Sequence, residues 1–235
     1  MAERETYLAP AEFIDSRDTD VQAFASEHVP GATDDLSRAI RLYYAVRDGV
    51  VYDPYYCGDA RSYFRASDCL RAKRGFCIPK AALLAAAARA VGIPARVGYA
   101  DVRNHLSTQK LLDLIGTDLF IWHSYTELFL GERWVKATPA FNLSLCDRFE
   151  VRPLEFDGRS DSLFHEYDRG GRRHMEYVRE RGHYADVPYE NIMADFRKTY
   201  PRMLEFAAAR SRPDTFSETQ IKPERPPEVP QDASS

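Results

Sequence analysis

Several broad classes are excluded by what this chain lacks. Its four cysteines, Cys57, Cys69, Cys77 and Cys146, form no CxxC pair and keep no regular spacing, which argues against a disulfide scaffold and a thiolate zinc site. No apolar run approaches the length that spans a bilayer. Neither sign of charge dominates: 32 Lys and Arg against 36 Asp and Glu leave a net charge of −4, with both signs interspersed. Neither nucleic acid nor an anionic membrane is therefore an expected partner. The segment Met1-Ala2-Glu3-Arg4-Glu5 is charged and leads into no apolar core of the signal-peptide kind, so a cytoplasmic, reducing setting is expected. Arg169-Gly170-Gly171-Arg172 is too short for a phosphate loop, and the acid-rich stretch 155–168 has neither EF-hand spacing nor HExxH. No metal and no cofactor are expected.

What is present reads as one globular unit. The 235 residues, 44% apolar and 29% charged, suffice for a sizeable core. Residues 1–210 are expected to form a single domain, with its core motif at 66–142 and a helical and loop extension at 143–210. The polar, proline-rich stretch 211–235 is expected to be disordered. Helices are predicted over 11–28 and 34–48, over a short segment from Ser67 that stops at Gly75, over an alanine-rich run to Val91, and as one turn at Thr108 to Ile115. Ala95 to Val102, Phe120 to Leu130 and Arg133 to Thr138 read as strands, and the charges from Arg169 to Arg181 as a solvated helix face. That order implies an α+β fold, with an antiparallel sheet packed on the alanine-rich helix. Gly131-Glu132 matches a type II′ hairpin turn, which sets Glu127 opposite Lys136 as a cross-strand charge pair. Continued, the register sets Tyr125 opposite Thr138 and His123 opposite Ala140. His123 then becomes a diagonal neighbour of Thr138, and of Asn142 if pairing passes Pro139.

The densest stretch is Arg74-Gly75-Phe76-Cys77-Ile78-Pro79. It combines a helix stop, a cysteine and a helix start. Cys77 falls at the N-terminus of a run close to the maximum of helix propensity, where free N–H groups favour a thiolate. The alternative is that Cys77 is a small buried apolar residue. Of the six histidines, His28, His105, His165, His174 and His183 lie in polar or irregular stretches. His123 alone lies inside a predicted strand, Ile121-Trp122-His123-Ser124-Tyr125.

The run Leu70…Arg74-Gly75-Phe76-Cys77…Ala88-Arg89-Ala90-Val91-Gly92-Ile93-Pro94-Ala95-Arg96-Val97 resembles the core motif of the transglutaminase-like superfamily, a branch of the papain-like cysteine enzymes. The block from Trp122 to Val135 resembles that family's histidine strand and the strand after it. The resemblance implies that Cys77 is a nucleophile forming a thioester and that His123 is its base. The family's third residue, an aspartate, corresponds in Trp134-Val135-Lys136-Ala137-Thr138-Pro139-Ala140 to Thr138. Thr138 or Asn142 is the expected orienter of the imidazole, with Asp147 further off. The Cys77 N–H is expected to bind the oxyanion. The aromatic loop of Tyr55, Tyr56 and Tyr63 is a candidate for a second donor or for core cover, and Trp122 for a wall beside the thioester. The implied activity is attack on an amide or isopeptide bond of a peptide, protein or small amide, with hydrolysis favoured. Acyl transfer to an amine is the close alternative. A non-catalytic interaction module, for which Thr138 speaks, is the other.

Overall fold

The helix Cys77–Ala90 is enclosed on every side: from Ile78 to Arg89 all its residues are buried. An alanine-rich surface lets neighbours approach closely, and a helix apolar all round belongs at the centre of a fold. In chain order the elements of this computed structural model are α1 (Ala2–Thr6), α2 (Thr19–His28), α3 (Asp35–Gly49), β1 (Val51–Tyr52), α4 (Ala66–Ala72), β2 (Arg74–Gly75) and α5 (Cys77–Ala90). There follow β3 (Ala95–Asn104), α6 (Gln109–Ile115), β4 (Leu119–Leu130), β5 (Arg133–Ala137), α7 (Leu143–Arg148), β6 (Met175–Tyr184), α8 (Tyr189–Thr199) and α9 (Pro201–Ala209). The structure describes residues 2–105, 107–163, 170 and 175–209, so the expected disordered tail, His165 and His174 lie outside it. The fold is mixed α and β, with α2, α3 and α4 packed on α5 together with β3 and β4 of an antiparallel sheet ordered β5-β4-β3-β6. Among the described residues no helix is long and apolar enough to cross a membrane.

The segment after α5 fixes the helix to the sheet. Gly92, at φ +85°, takes the left-handed position of a Schellman motif, with Gly92 N–H on Arg89 O at 3.1 Å and Ile93 N–H on Ala88 O at 2.9 Å. The buried Arg89 guanidinium donates to the carbonyls of Ala95, Ala9 and Ala185. The Ala-Arg-Ala-Val-Gly-Ile-Pro-Ala run is thus a helix stop and a clamp for the next strand.

The sheet keeps the expected hairpin register, Leu130↔Arg133 and Glu127↔Lys136. The turn is of the other primed kind: Gly131 at φ +54° and Glu132 at φ +67° are both left-handed, which makes a type I′ turn of the same length. The charge pair also differs. Glu127 bonds Arg96, its register partner on β3, whose guanidinium lies 4.1 Å from the Trp134 ring centroid. Lys136 reaches Glu180 instead, at 3.3 Å. The β4–β5 ladder stops at Thr126↔Ala137, because the Thr138 N–H goes to Ser162 O at 2.9 Å and Pro139 has no N–H to offer. The expected pairing of Tyr125 with Thr138 and of His123 with Ala140 is therefore not formed.

Two further expectations are corrected. Residues 11–18 are not helical, because Asp186 gathers the N–H groups of Glu12, Phe13 and Ile14 at 3.0–3.2 Å and turns the chain so that Phe13 and Ile14 are buried. The solvated helix face expected up to Arg181 is, from Met175, strand β6, paired with β3. Its alternating charges suit an edge strand as well as a helix.

Lys80, one turn beyond Cys77, is fully buried, and its Nζ donates to Arg47 O and Val50 O at the end of α3. Burial pulls its pKa from the ordinary 10.5 down to about 7. A neutral amine still has two N–H groups for those two carbonyls. Between pH 7 and 10.5 the unfolded chain carries the proton and the folded one does not, so unfolding takes a proton up and stability rises with pH. In urea unfolding, the stability of the wild type relative to Lys80→Met should rise by on the order of 1 kcal/mol per pH unit from pH 7 to 9. A flat difference would mean that Lys80 stays charged.

Candidate active site

The start of α5 is left open by its own sequence. Phe76 occupies the N-cap in extended geometry and offers no side-chain cap, while Pro79 has no N–H. The Cys77 and Ile78 N–H groups both favour the Cys77 thiolate, and so does the N–H of Ser124 on β4, the residue after His123. The structure thus brings the cysteine and the histidine strand together. The glycine before the helix has a different role from the helix stop expected of it. Helix α4 ends at Ala72, and Lys73 at φ +54° takes the left-handed position. Gly75 is needed for close approach, since a Cβ there would meet Cys69 Sγ at 2.8 Å and Pro79 Cγ at 3.1 Å.

The thiol is not acidified. Burial pushes the Cys77 pKa up from 9.0 to about 11, and the three backbone N–H groups offset only part of that. The expected lowering fails because the half-buried sulfur loses more hydration than uncharged donors restore. None of the four cysteines is in a disulfide, and Cys57, Cys69 and Cys146 are buried.

His123 is aimed by a bulge. It pairs with Ala100 and Phe120 pairs with Val102, so Ile121 and Trp122 together oppose Asp101 alone. Trp122 has φ +59°, a costly value for a bulky residue. A polar cage holds it there. Asp101 Oδ1 accepts from Trp122 N–H at 3.0 Å, Asp195 Oδ2 accepts from the indole N–H at 2.9 Å, and Arg181 bonds both carboxylates. The Arg181 guanidinium also lies 4.5 Å from the Trp122 ring centroid. Burial pushes the Asp195 carboxyl up, but hydrogen bonds from Trp122 and Arg181 win and hold it below its usual range. Tyr200 completes the support, accepting from Ile121 N–H at 2.6 Å. Sequence reasoning missed Asp101, Arg181 and Asp195. The available signal was an acid inside an otherwise apolar strand.

His123 lines a cavity of about 690 Å³, together with Phe120, Phe141, Asn142 and Met175. Cys77 does not line it and reaches the site from the α5 side, at Ser124. Asn142, an expected orienter, uses its amide elsewhere: Oδ1 accepts from Tyr52 N–H at 3.0 Å and Nδ2 donates to Ser144 Oγ at 2.7 Å. The Thr138 hydroxyl is buried with no hydrogen-bond partner among the described residues. Asp147 is exposed on α7. Tyr55 lines the cavity, but Tyr63 does not: it packs on Tyr56 at 5.1 Å and over Gly58. Trp122 is also away from the cavity, because the left-handed bulge turns its indole against Tyr99 and Tyr184.

The comparisons with known proteins can be set against this geometry. The family model described as the transglutaminase-like superfamily matches residues 22–139, half of the chain, and that span contains Cys77, His123 and Thr138. The chain belongs to the transglutaminase-like superfamily. No curated protein sequence matches it. Among solved structures, it is similar to the crystal structure of a "putative cysteine protease" from Cytophaga hutchinsonii, with a TM-score of 0.50 and 18% identity over 80% of this chain. The chain spans 48% of that protein's length. At such identity the likeness shows the papain-like, transglutaminase-like fold.

The cage makes Asp101 a stability determinant of this transglutaminase-like site. Asp101→Ala strips the acceptor from a buried N–H and from Arg181 and should cost about 2–4 kcal/mol in urea unfolding. Asp101→Asn keeps the acceptor oxygen and should cost less. Equal stability of all three proteins would show that the bulge holds without the cage.

Proposed function

We propose that this chain is a cysteine-dependent enzyme that cleaves an amide or isopeptide bond through a Cys77 thioester, with hydrolysis as the outcome. The observation that carries the reading is the packing of α5, which opens with Cys77 and has no side-chain cap, on β4, which carries His123, with Thr126 Oγ1 of β4 donating to Ala81 O of α5 at 2.9 Å. The thiol attacks the carbonyl carbon while its proton passes to His123, which later protonates the leaving amine. The Cys77 N–H, at the positive end of α5, stabilises the oxyanion in this reading. Water then releases the acid and regenerates the thiol. Neither expected orienter completes a triad: the hydrogen bonds of Asn142 run to Tyr52 and Ser144, and the Thr138 hydroxyl has no hydrogen-bond partner among the described residues. A thiol tolerates a weak orienter better than a hydroxyl, being the stronger nucleophile. Four cysteines outside any disulfide fit a reducing, cytoplasmic setting.

A non-catalytic interaction module is the second reading, supported by Thr138 in place of the aspartate and by the raised thiol pKa. A panel of peptide and small-molecule amides, incubated with and without hydroxylamine as competing amine, separates the possibilities. The carboxylic acid should be the main product even with the amine present, and turnover should fall by roughly 10³-fold or more in Cys77→Ala and in His123→Ala. A predominant hydroxamate would assign acyl transfer instead. Turnover that survives Cys77→Ala, or no turnover and no acylated Cys77 by mass spectrometry, would remove the enzymatic reading.

A further inference from the structure

The cavity beside His123 has an uneven charge. Its body is apolar, with Val102, Phe120, Phe141, Phe149 and Met175 on its walls. Apart from His123, the charged residues among the described ones that line it are Asp53, Lys73, Arg74 and Arg148, three cations and one acid in a chain whose net charge is −4. The acid is already committed. Asp53, 8% exposed, accepts from the Tyr55 and Tyr56 N–H groups at 2.9 and 3.2 Å and lies 3.9 Å from Arg74. Lys73 and Arg148 are exposed and form no ion pair among the described residues. Among the described residues two positive charges thus stand unmatched at an apolar cleft, although acids outnumber bases in the chain as a whole.

The backbone at Lys73 adds a second observation. Lys73 caps α4 at φ +54°, its N–H on Leu70 O at 3.3 Å and its carbonyl accepting from Val51 N–H at 3.0 Å. Glycine is the usual residue there, and a side chain costs about 1 kcal/mol by comparison. No ion pair among the described residues offsets that cost, and the side chain lines the cleft.

We propose that the cleft binds a ligand joining a bulky apolar group to a carboxylate, the apolar part against Phe120, Phe141 and Met175 and the carboxylate between Lys73 and Arg148. On the reading of Cys77 and His123 as the reacting pair, this ligand is the acyl side of the substrate: an aromatic or aliphatic residue next to an acidic one. The apolar walls supply most of the burial on binding, and the cations discriminate anionic from neutral ligands and weaken with salt.

N-succinyl-phenylalaninamide and N-acetyl-phenylalaninamide share the aromatic group and differ by one carboxymethyl group, which carries the only charge. In calorimetric titrations of the full chain at low salt, the succinyl compound should bind roughly five- to tenfold more tightly. Most of that preference should vanish in the double variant Lys73→Gln/Arg148→Gln and in added salt. Both side chains are exposed, so the double variant should keep the wild-type urea midpoint. The preference should persist in Cys77→Ala, which separates this proposal from the catalytic one: loss of turnover alone leaves it standing. Equal affinity for the two compounds, no binding of either, or a preference unchanged in the double variant would overturn it.

Discussion

Because Cys77 opens a helix that is enclosed along the rest of its length, its thiol meets two opposing forces. The uncapped N–H groups at the start of α5 favour a thiolate, and the enclosure that holds the helix in place removes the water a thiolate needs. Enclosure wins, and the pKa settles at about 11. The packing that positions the thiol therefore also keeps it protonated at rest. On the proposed reading, activation falls to His123, as proton acceptor when an acyl donor arrives, rather than to a pre-ionised sulfur. Lys80, whose pKa the same burial draws down to about 7 one turn away, follows the same rule with the sign reversed.

The histidine is placed by a different kind of force. Trp122 in a left-handed conformation needs over-determination to persist, and Asp101, Arg181, Asp195 and Tyr200 supply it. Three of these four lie on β6, α8 and the residue after α8, beyond the residues 22–139 that match the family. The family core supplies the cysteine helix and the strand carrying His123, and the C-terminal elements lock the kink from which His123 projects. This gives β6 and α8 a role in the site, although they stand far from the motifs in sequence.

Much of this was legible beforehand where one residue's chemistry dominates. The alanine run predicts a buried helix, the Gly-Ile-Pro segment its stop, and the two-residue loop the hairpin register; all three stand. The errors come from partners distant in sequence. Residues 11–18 carry a helical pattern, but Asp186 takes their N–H groups. Glu127 pairs with Arg96 because a buried, ring-stacked guanidinium is the better partner than a half-exposed Lys136. The charges of β6 read as a surface helix because alternating Glu and Arg suit either element. At the site, the motifs give Cys77 at the start of the alanine-rich helix and His123 inside a strand, and both positions stand. The bulge and its cage were not legible, since a left-handed tryptophan leaves no mark in composition or periodicity. The direction of the thiol pKa was misread because local geometry gives the helix N-terminus and only the tertiary fold gives the burial.

The central claim is that His123, and not the helix start, activates Cys77. The most direct test is the pH dependence of iodoacetamide alkylation at Cys77, followed by mass spectrometry against Cys57, Cys69 and Cys146, in the wild type and in His123→Ala. The account predicts that wild-type Cys77 reacts faster than the three buried cysteines near neutral pH, and that His123→Ala abolishes this advantage, leaving one ionisation near 11. Alkylation at neutral pH that is unchanged by His123→Ala would contradict it and return the activation of the thiol to the helix N-terminus alone.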